Sequence, residues 1–131
     1  MIEREGRLAV RGIRGANRVP ENTREAILSA TRELLQAMLQ ANGVRSEDIA
    51  AIHFTLTPDL NAAFPAEAAR QLGMRLVPLL CAREIGVPGS MGQVVRVLML
   101  VNTNLKQDQI KHVFLGETQK LRDDLREEEE A

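Results

Sequence analysis

Two arginines stand inside segments whose other residues are typical of buried strands. Arg96 lies in VVRVLMLVN, residues 94–102, and Arg14 lies in LAVRGIRGA, residues 8–16. An arginine keeps its charge inside a protein, and a buried charge without a partner costs several kcal/mol. Each side chain therefore needs an anionic partner in the protein, a route to water or a ligand. An internal salt bridge or an exposed head group is the ordinary explanation, and an anionic ligand is the functional one.

Glu84 and Cys81 lie at the end of a third apolar segment and could meet the two arginines. Cations that project from apolar strands, with a carboxylate and a thiol nearby, are typical of a small, dry pocket that binds an anion such as a dicarboxylate. The sequence has no Ser-His-Asp pattern, no glycine-flanked nucleophile and no paired carboxylates at a recognisable spacing, so it lacks the groups of a hydrolase. Cys81 has no histidine near it in sequence, and an inert, buried cysteine is the commoner interpretation.

Composition narrows the range of partners. The 131 residues suit one domain, and a net charge of −1 provides no general attraction to nucleic acid or to a membrane. The only aromatic residues are three phenylalanines, too few to stack nucleic-acid bases. The two histidines lack neighbours at metal-ligand spacing, so we expect no metal site. A single cysteine, no apolar run long enough to cross a bilayer and no signal core in MIEREGRLAV together predict a cytoplasmic protein.

The segments that carry these residues alternate between strand and helix patterns. A long helix starts at an N-cap at Asn22, with Glu25 in the capping-box position, and ends where Gly43 supplies a left-handed residue. A short helix lies within residues 65–73. This order predicts an α+β domain with a mixed β-sheet, one long helix and one short helix. Five strands are predicted, at residues 8–16, 49–57, 75–81, 94–102 and 111–115.

Burial of this sheet requires more than one chain. The continuous apolar run at residues 94–102 implies burial on both faces, yet the single long helix can cover only one. A small chain usually covers the other face by self-association, and a closed ring is the expected form. We place one domain at residues 1–125 and expect the acidic tail at residues 126–131 to be disordered.

Five strings carry a resemblance to a known family. They are RGIRGA at residues 11–16, TPDLNAAFPAEAAR at 57–70, VPLLCAREI at 77–85, VVRVLMLV at 94–101 and QDQIKHVFL at 107–115. In this order and spacing, from about residue 11 to residue 125, the chain resembles the small homotrimeric α/β-barrel class of chorismate mutase. This class is distinct from the all-helical chorismate mutases.

The resemblance implies a homotrimer that closes into a pseudo-α/β-barrel, with active sites in clefts between adjacent subunits. The implied reaction converts chorismate to prephenate by an intramolecular Claisen rearrangement, in the biosynthesis of aromatic amino acids. It uses no cofactor, no metal and no covalent intermediate. Because the substrate is a dianion, the reaction needs rigid cations and a fixed conformer instead of acid–base groups.

By resemblance, the catalytic residues are Arg96, Arg14 and Glu84. Arg96 meets the ether oxygen and a substrate carboxylate, and Arg14 grips the side-chain carboxylate. Glu84 hydrogen-bonds the ring hydroxyl together with Cys81, which acts through its backbone or its thiol. The other implied substrate-binding positions are apolar residues, two arginines near the ring carboxylate and the pocket mouth, and one phenylalanine: Phe64, Ala66, Leu79, Leu80, Leu121, Arg70, Arg122 and Phe114.

Three residues depart from the family pattern. Phe114 stands where a tyrosine is frequent and cannot donate a hydroxyl hydrogen bond, Glu67 stands where a related sequence has a basic residue, and Leu80 replaces a more polar one. We expect these departures to change binding more than chemistry. Two alternatives stay open: a non-catalytic trimer that binds an anionic metabolite, and a trimeric α/β enzyme that hydrolyses enamines or imines.

Overall fold

A five-stranded mixed sheet is the framework of the computed structural model, which describes residues 8–122. One long and one short helix beside this sheet confirm the predicted α+β class. The strands are β1 (Ala9–Arg18), β2 (Ile49–Leu56), β3 (Leu79–Arg83), β4 (Val94–Thr103) and β5 (Val113–Phe114), and the helices are α1 (Arg24–Asn42) and α2 (Ala66–Gln71). Short 3₁₀ helices span Ser46–Asp48, Gln107–Gln109 and Gly116–Arg122.

β4 is the central strand of a sheet with the order β3-β2-β4-β1-β5. It pairs antiparallel with β1 and β2, while β3 lies parallel to β2 and β5 lies parallel to β1. The implied barrel closure is absent from the described part of this single chain. The sheet is open because its two edge strands, β3 and the two-residue β5, do not pair with each other.

α1 covers one face of the sheet, and its cap differs from the prediction. Thr23, not Asn22, is the N-cap, since its side chain accepts a hydrogen bond from the backbone N–H of Ala26. The Asn22 side chain instead accepts from the N–H groups of residues 61 and 62, which ties the start of α1 to the loop before α2. Gly43 follows the helix in the left-handed conformation, with a φ of 60°, as predicted.

Gly15 lets α1 pack directly on β1. A Cβ atom at Gly15 would lie 2.4 Å from the Sδ atom of Met38 and 3.0 Å from a methyl carbon of Leu34, both on α1. The same face of the sheet is fully buried at Ile13 and Met99. The hydrophobic core therefore lies between α1 and this face.

The opposite face of the sheet is open in the single chain. Apolar residues project from it and are exposed: Val10 on β1 to 56%, Leu80 on β3 to 59% and Leu98 on β4 to 40%. This agrees with the expectation that α1 covers only one face, and burial of β4 on both faces stays a prediction for the assembly. Within residues 8–122 only the end of this face next to β5 is buried, at Ala16, Val94 and Phe114. We call this surface the open face, and it carries Arg14 and Arg96.

The observed strand boundaries differ most from the predicted ones in the C-terminal half of the chain. β3 begins at Leu79 instead of residue 75, because Pro78 has no N–H for the ladder and stands just before the pairing starts. β5 is shorter than the predicted 111–115, and the 3₁₀ helix Gly116–Arg122 was not predicted, since so short and polar a segment shows no helical period. The tail predicted at residues 126–131 lies outside the described residues. Within residues 8–122, no helix is long and apolar enough to span a bilayer.

Candidate active site

Strand pairing brings Arg14 and Arg96 to one cleft on the open face. Arg14 lies opposite Leu98, and Arg96 lies opposite Ala16, so the two arginines lie on neighbouring strands, two residues apart in the register and on the same face of the sheet. Between them is a cleft of about 360 Å³, a size suited to a small ligand. The cleft is lined by Arg14, Gly15, His53, Thr55, Arg96, Val97, Leu98 and Phe114.

Arg96 is only loosely paired. Its Nε atom lies 3.7 Å from Oε1 of Glu84, close enough for charge attraction but too long for a hydrogen bond. The Nε atom is itself buried and has no hydrogen-bond partner among residues 8–122. The side chain as a whole is less buried than its strand position predicts, with 38% of its surface exposed. Arg96 therefore keeps a desolvated donor free beside the cleft.

Glu84 owes its position to the end of β2. Its backbone N–H donates a 2.8 Å hydrogen bond to the carbonyl of Leu56, the last residue of that strand. Thr55, one residue earlier, lies opposite Arg96. The carboxylate of Glu84 and the guanidinium of Arg96 are thus brought together as predicted, from β3 and β4 across β2.

Phe114 positions the head of Arg14. The guanidinium carbon of Arg14 lies 5.3 Å from the centre of the Phe114 ring, within the range of a cation–π contact. The ring is buried, and β5 holds it beside Ala16 on β1. The backbone N–H of Arg14 also donates to Nδ1 of His112, at 2.9 Å. The missing tyrosine hydroxyl leaves this ring contact intact.

A second group of predicted residues lies around β3 and the start of α2. Phe64 and Cys81 line a larger cleft of about 640 Å³. Burial raises the pKa of the Cys81 thiol, although the Ala66 backbone N–H and the charge of Arg70 act in the opposite direction. The thiol is therefore neutral near pH 7, which argues against a nucleophilic thiolate.

The rim of this second cleft contains a cation that the sequence analysis missed. Arg24, the first residue of α1, makes two hydrogen bonds to the carboxylate of Glu67, and both side chains line the cleft. These hydrogen bonds raise the pKa of Arg24 and lower that of Glu67, so both groups are charged. The acidic departure at Glu67 is thus balanced by a neighbouring positive charge. No spacing in the sequence indicated this pair, because its members lie on different helices.

The predicted residues do not form one pocket in a single chain. The Arg14–Arg96 cleft and the Phe64–Cys81 cleft have no lining residue in common. Leu79 packs against the main core and Leu80 projects from the open face, while Leu121 packs against the small cluster around Phe114. Arg122 ends the last 3₁₀ helix, and its side chain is not among those described.

His53 and Thr55 were not predicted as site residues, yet both line the first cleft. Residues 53 and 55 share one face of β2, but the sequence could have indicated that this face lines the cleft only if the pairing of Thr55 with Arg96 had been known. Among residues 8–122, no group of three or more His, Cys, Asp or Glu side chains is arranged to hold a metal ion.

A family model, two curated relatives and a solved structure that resemble this chain are all chorismate mutases. The family model described as chorismate mutase type I matches residues 10–125. Chorismate mutase AroH of Thermus thermophilus is 62% identical over 117 residues, which cover 88% of this chain and 96% of that protein. Chorismate mutase AroH of Bacillus subtilis (strain 168) is 43% identical over 119 residues, covering 90% of this chain and 94% of that protein. The solved structure of a chorismate mutase from Clostridium thermocellum matches with a TM-score of 0.82 and 46% identity, covering 83% of this chain and 97% of that one.

Proposed function

The chain belongs to the chorismate mutase type I family, and we propose that Arg96, Arg14 and Glu84 carry its reaction in a site completed by a neighbouring subunit. The enzyme is an isomerase that converts chorismate to prephenate in aromatic amino acid biosynthesis. The observation that carries the residue assignment is the buried, unpartnered Nε of Arg96 beside a cleft that also contains Arg14.

The rearrangement requires preorganised positive charge in the site and a fixed conformer of the substrate. Within one molecule, the ether C–O bond breaks while a C–C bond forms between the ring and the methylene of the side chain. No atom is gained or lost, and no proton needs to move. Negative charge develops on the ether oxygen in the transition state, so a preorganised donor at that oxygen lowers the barrier. Holding the substrate in a compact, chair-like conformer removes much of the remaining entropic cost.

Arg96 is the donor to the ether oxygen and to one substrate carboxylate. Its long, 3.7 Å contact with Glu84 attracts the guanidinium without occupying Nε with a hydrogen bond. A donor that is already desolvated needs no reorganisation when charge develops beside it. Glu84 also accepts a hydrogen bond from the ring hydroxyl of chorismate.

Arg14 grips the carboxylate of the enolpyruvyl side chain. The face of Phe114 supports its guanidinium at 5.3 Å, which leaves the edge nitrogens free for a bidentate contact. This stacking reduces the side-chain freedom that would otherwise be lost on binding.

The remaining substrate contacts come from the second cleft and from the chain after β5. Cys81, as a neutral thiol or through its backbone, bonds the ring hydroxyl, and Arg70 lies near the ring carboxylate. Arg122 is assigned to the pocket mouth on the resemblance alone. The apolar walls are provided by Phe64, Ala66, Leu79, Leu80, Leu121 and Phe114.

The functional assembly is a homotrimer. Exposed Val10, Leu80 and Leu98 leave an apolar surface that a second copy of the chain would bury. The separation of the two clefts supports the same assembly, because the β3 edge of one subunit can complete the Arg14–Arg96 cleft of the next. A cyclic arrangement repeats this heterologous contact around a closed ring. We assign the enzyme to the cytoplasm and expect it to work without cofactor or metal.

Loss of the ultraviolet absorbance of chorismate tests this function. We expect turnover by the wild type and by Arg45→Ala, a control at an exposed arginine whose ion pairs within residues 8–122 are with Glu47 and Asp48. Arg96→Ala should fall to near the uncatalysed rate. Turnover by Arg96→Ala at the wild-type rate would overturn the assignment of Arg96.

No turnover by any of the three would favour the non-catalytic anion-binding trimer, and hydrolysis of an imine substrate by the wild type would favour the other alternative. Light scattering that gives the mass of one chain would overturn the trimer.

A further inference from the structure

Asp59, in the loop after β2, clamps the turn that leads into β4. Its carboxylate accepts a 2.6 Å hydrogen bond from the hydroxyl of Thr57 and hydrogen bonds of 3.1 and 3.0 Å, one to each oxygen, from the backbone N–H of Gln93. The bond from Thr57 is the main reason that the pKa of Asp59 is lowered, with a further contribution from Gln93. The clamp is therefore fully charged near pH 7.

The clamped turn is strained. Gln93 has a φ of 56° and is the only residue other than glycine with a positive φ among residues 8–122. Such a conformation is unfavourable for a residue with a side chain and persists only where its surroundings enforce it. The side-chain amide of Gln93 donates to the carbonyl of Pro20, and the backbone carbonyl of Gln93 accepts a 2.7 Å hydrogen bond from the N–H of Val19. Strained backbone held from several sides often serves a functional site.

Gly92 makes room for the clamp. A Cβ atom at position 92 would lie 2.6 Å from Oδ2 of Asp59, closer than real Cβ contacts allow. The carboxylate can reach the N–H of Gln93 only because residue 92 has no side chain.

Thr57 transmits the position of Asp59 to the first residue of β4. Its single hydroxyl hydrogen is donated to Asp59, so the oxygen is free to accept a 3.0 Å hydrogen bond from the N–H of Val94. The N–H of Thr57 in turn donates to the carbonyl of Val94 at 3.1 Å. Both backbone groups of Val94 are thus fixed by one buried threonine.

Arg96 follows two residues after Val94, on the same face and about 7 Å along the strand. Glu84 depends on the same junction, since its N–H is bonded to Leu56, the neighbour of Thr57. The Arg96 side chain has no hydrogen bond at Nε and only a 3.7 Å contact with Glu84, so the backbone must set where it points.

We propose that Asp59 is a positioning residue for catalysis, which acts through Thr57 and Gln93 to fix Arg96 and Glu84 relative to each other. The proposal rests on the proposed role of Arg96. Because a displacement of about 1 Å in a catalytic group can cost roughly 100-fold in rate, loss of the clamp should lower kcat by about 10- to 100-fold.

Steady-state kinetics of chorismate loss test this role in five variants. Asp59→Asn replaces an acceptor oxygen with an amide that repels either the Gln93 N–H or the Thr57 hydroxyl, and Thr57→Val removes the hydroxyl at nearly constant volume. Both should lower kcat by the stated amount with a smaller change in KM. Thr57→Ser keeps the hydroxyl and should restore kcat. Asp59→Asn combined with Thr57→Val should lose no more than the worse single variant, since both break the same clamp. Gly92→Ala should mimic Asp59→Asn.

Matched controls separate positioning from simple stabilisation. Asp48→Asn changes a partly exposed carboxylate outside both clefts, and Gly86→Ala adds a Cβ that would meet Pro58 at an ordinary 3.4 Å. A purely structural clamp would lower the thermal midpoint of Asp59→Asn while the kcat of the folded protein stayed at the wild-type value, and that result would overturn the proposal. A kcat for Thr57→Ser as low as that of Thr57→Val would do the same. If Arg96→Ala itself kept wild-type activity, the function proposed for Arg96 would fail first, and with it the positioning role. Inactive Arg96→Ala beside fully active Asp59→Asn would overturn the positioning role alone.

Discussion

Arg96→Lys would test whether catalysis needs the guanidinium or only a positive charge. Lysine keeps the charge, so most of the attraction to Glu84 across 3.7 Å should survive. Both side chains are partly exposed, and in a water-like dielectric this attraction is about 1 kcal/mol. The substitution should therefore change folding little, with a thermal midpoint within a few degrees of the wild type.

The kinetic effect should be much larger. An ammonium is a point charge and cannot reproduce the planar fork of donors to which the buried Nε of Arg96 belongs. Removing one preorganised donor to a developing oxyanion typically lowers kcat about 10²- to 10³-fold, or roughly 2.7–4 kcal/mol. We expect a loss of this size in kcat, measured by the disappearance of chorismate, with a smaller change in KM.

Arg45→Lys is the matched control, because Arg45 is exposed and lines neither cleft. If Arg96→Lys kept kcat within about threefold of the wild type, or roughly 0.7 kcal/mol, the requirement for a guanidinium would be refuted.

Three further predictions concern the parts that support the site. Gly15→Ala should destabilise the fold by about 1–3 kcal/mol in denaturant titration, because its Cβ would meet Met38 at 2.4 Å; an effect no larger than that of Gly86→Ala would contradict this packing. Phe114→Leu should raise KM about 2- to 5-fold through loss of the ring beneath Arg14, whereas Phe114→Tyr keeps the ring and should not raise it. An unchanged KM in the leucine variant would show that the ring does not support substrate binding. Because burial raises the pKa of Cys81, iodoacetamide should alkylate it at pH 7 more slowly than free cysteine, and faster reaction would contradict a neutral thiol.

The sequence predicted the class of fold because its strongest signals are local. The N-cap region, Gly43 and the long apolar stripe of α1 depend on residues close together in the chain, and the helix lies where they indicate. The predicted bounds of β3 and β5 were less accurate. The extent of these strands depends on pairing with β2 and β1, which the local sequence pattern does not encode. The switch of the cap from Asn22 to Thr23 has the same origin, because Asn22 is bonded to the distant residues 61 and 62.

The residues of the site likewise differ in whether local sequence could indicate them. Arg14 and Arg96 could be chosen from the sequence, since a charge within an apolar strand has few explanations. His53 and Thr55 could not, because they join the cleft only through the register that sets Thr55 opposite Arg96. Asp59 was not singled out either, because its bonds to Thr57 and Gln93 connect the end of β2 with the start of β4.

In the proposed trimer, assembly and catalysis would use the same surface of the chain. The open face carries exposed Leu80 and Leu98, whose burial would stabilise an oligomer, and it also carries both arginines of the first cleft. In the proposed trimer, the neighbour that covers the leucines also removes water from around Arg14 and Arg96. A drier cleft strengthens the attraction between each guanidinium and a dianionic substrate, since the interaction grows as the effective dielectric falls. The Nε of Arg96 is already buried without a hydrogen-bond partner among residues 8–122, and in the proposed trimer the neighbouring subunit would extend this desolvation to the exposed part of the side chain.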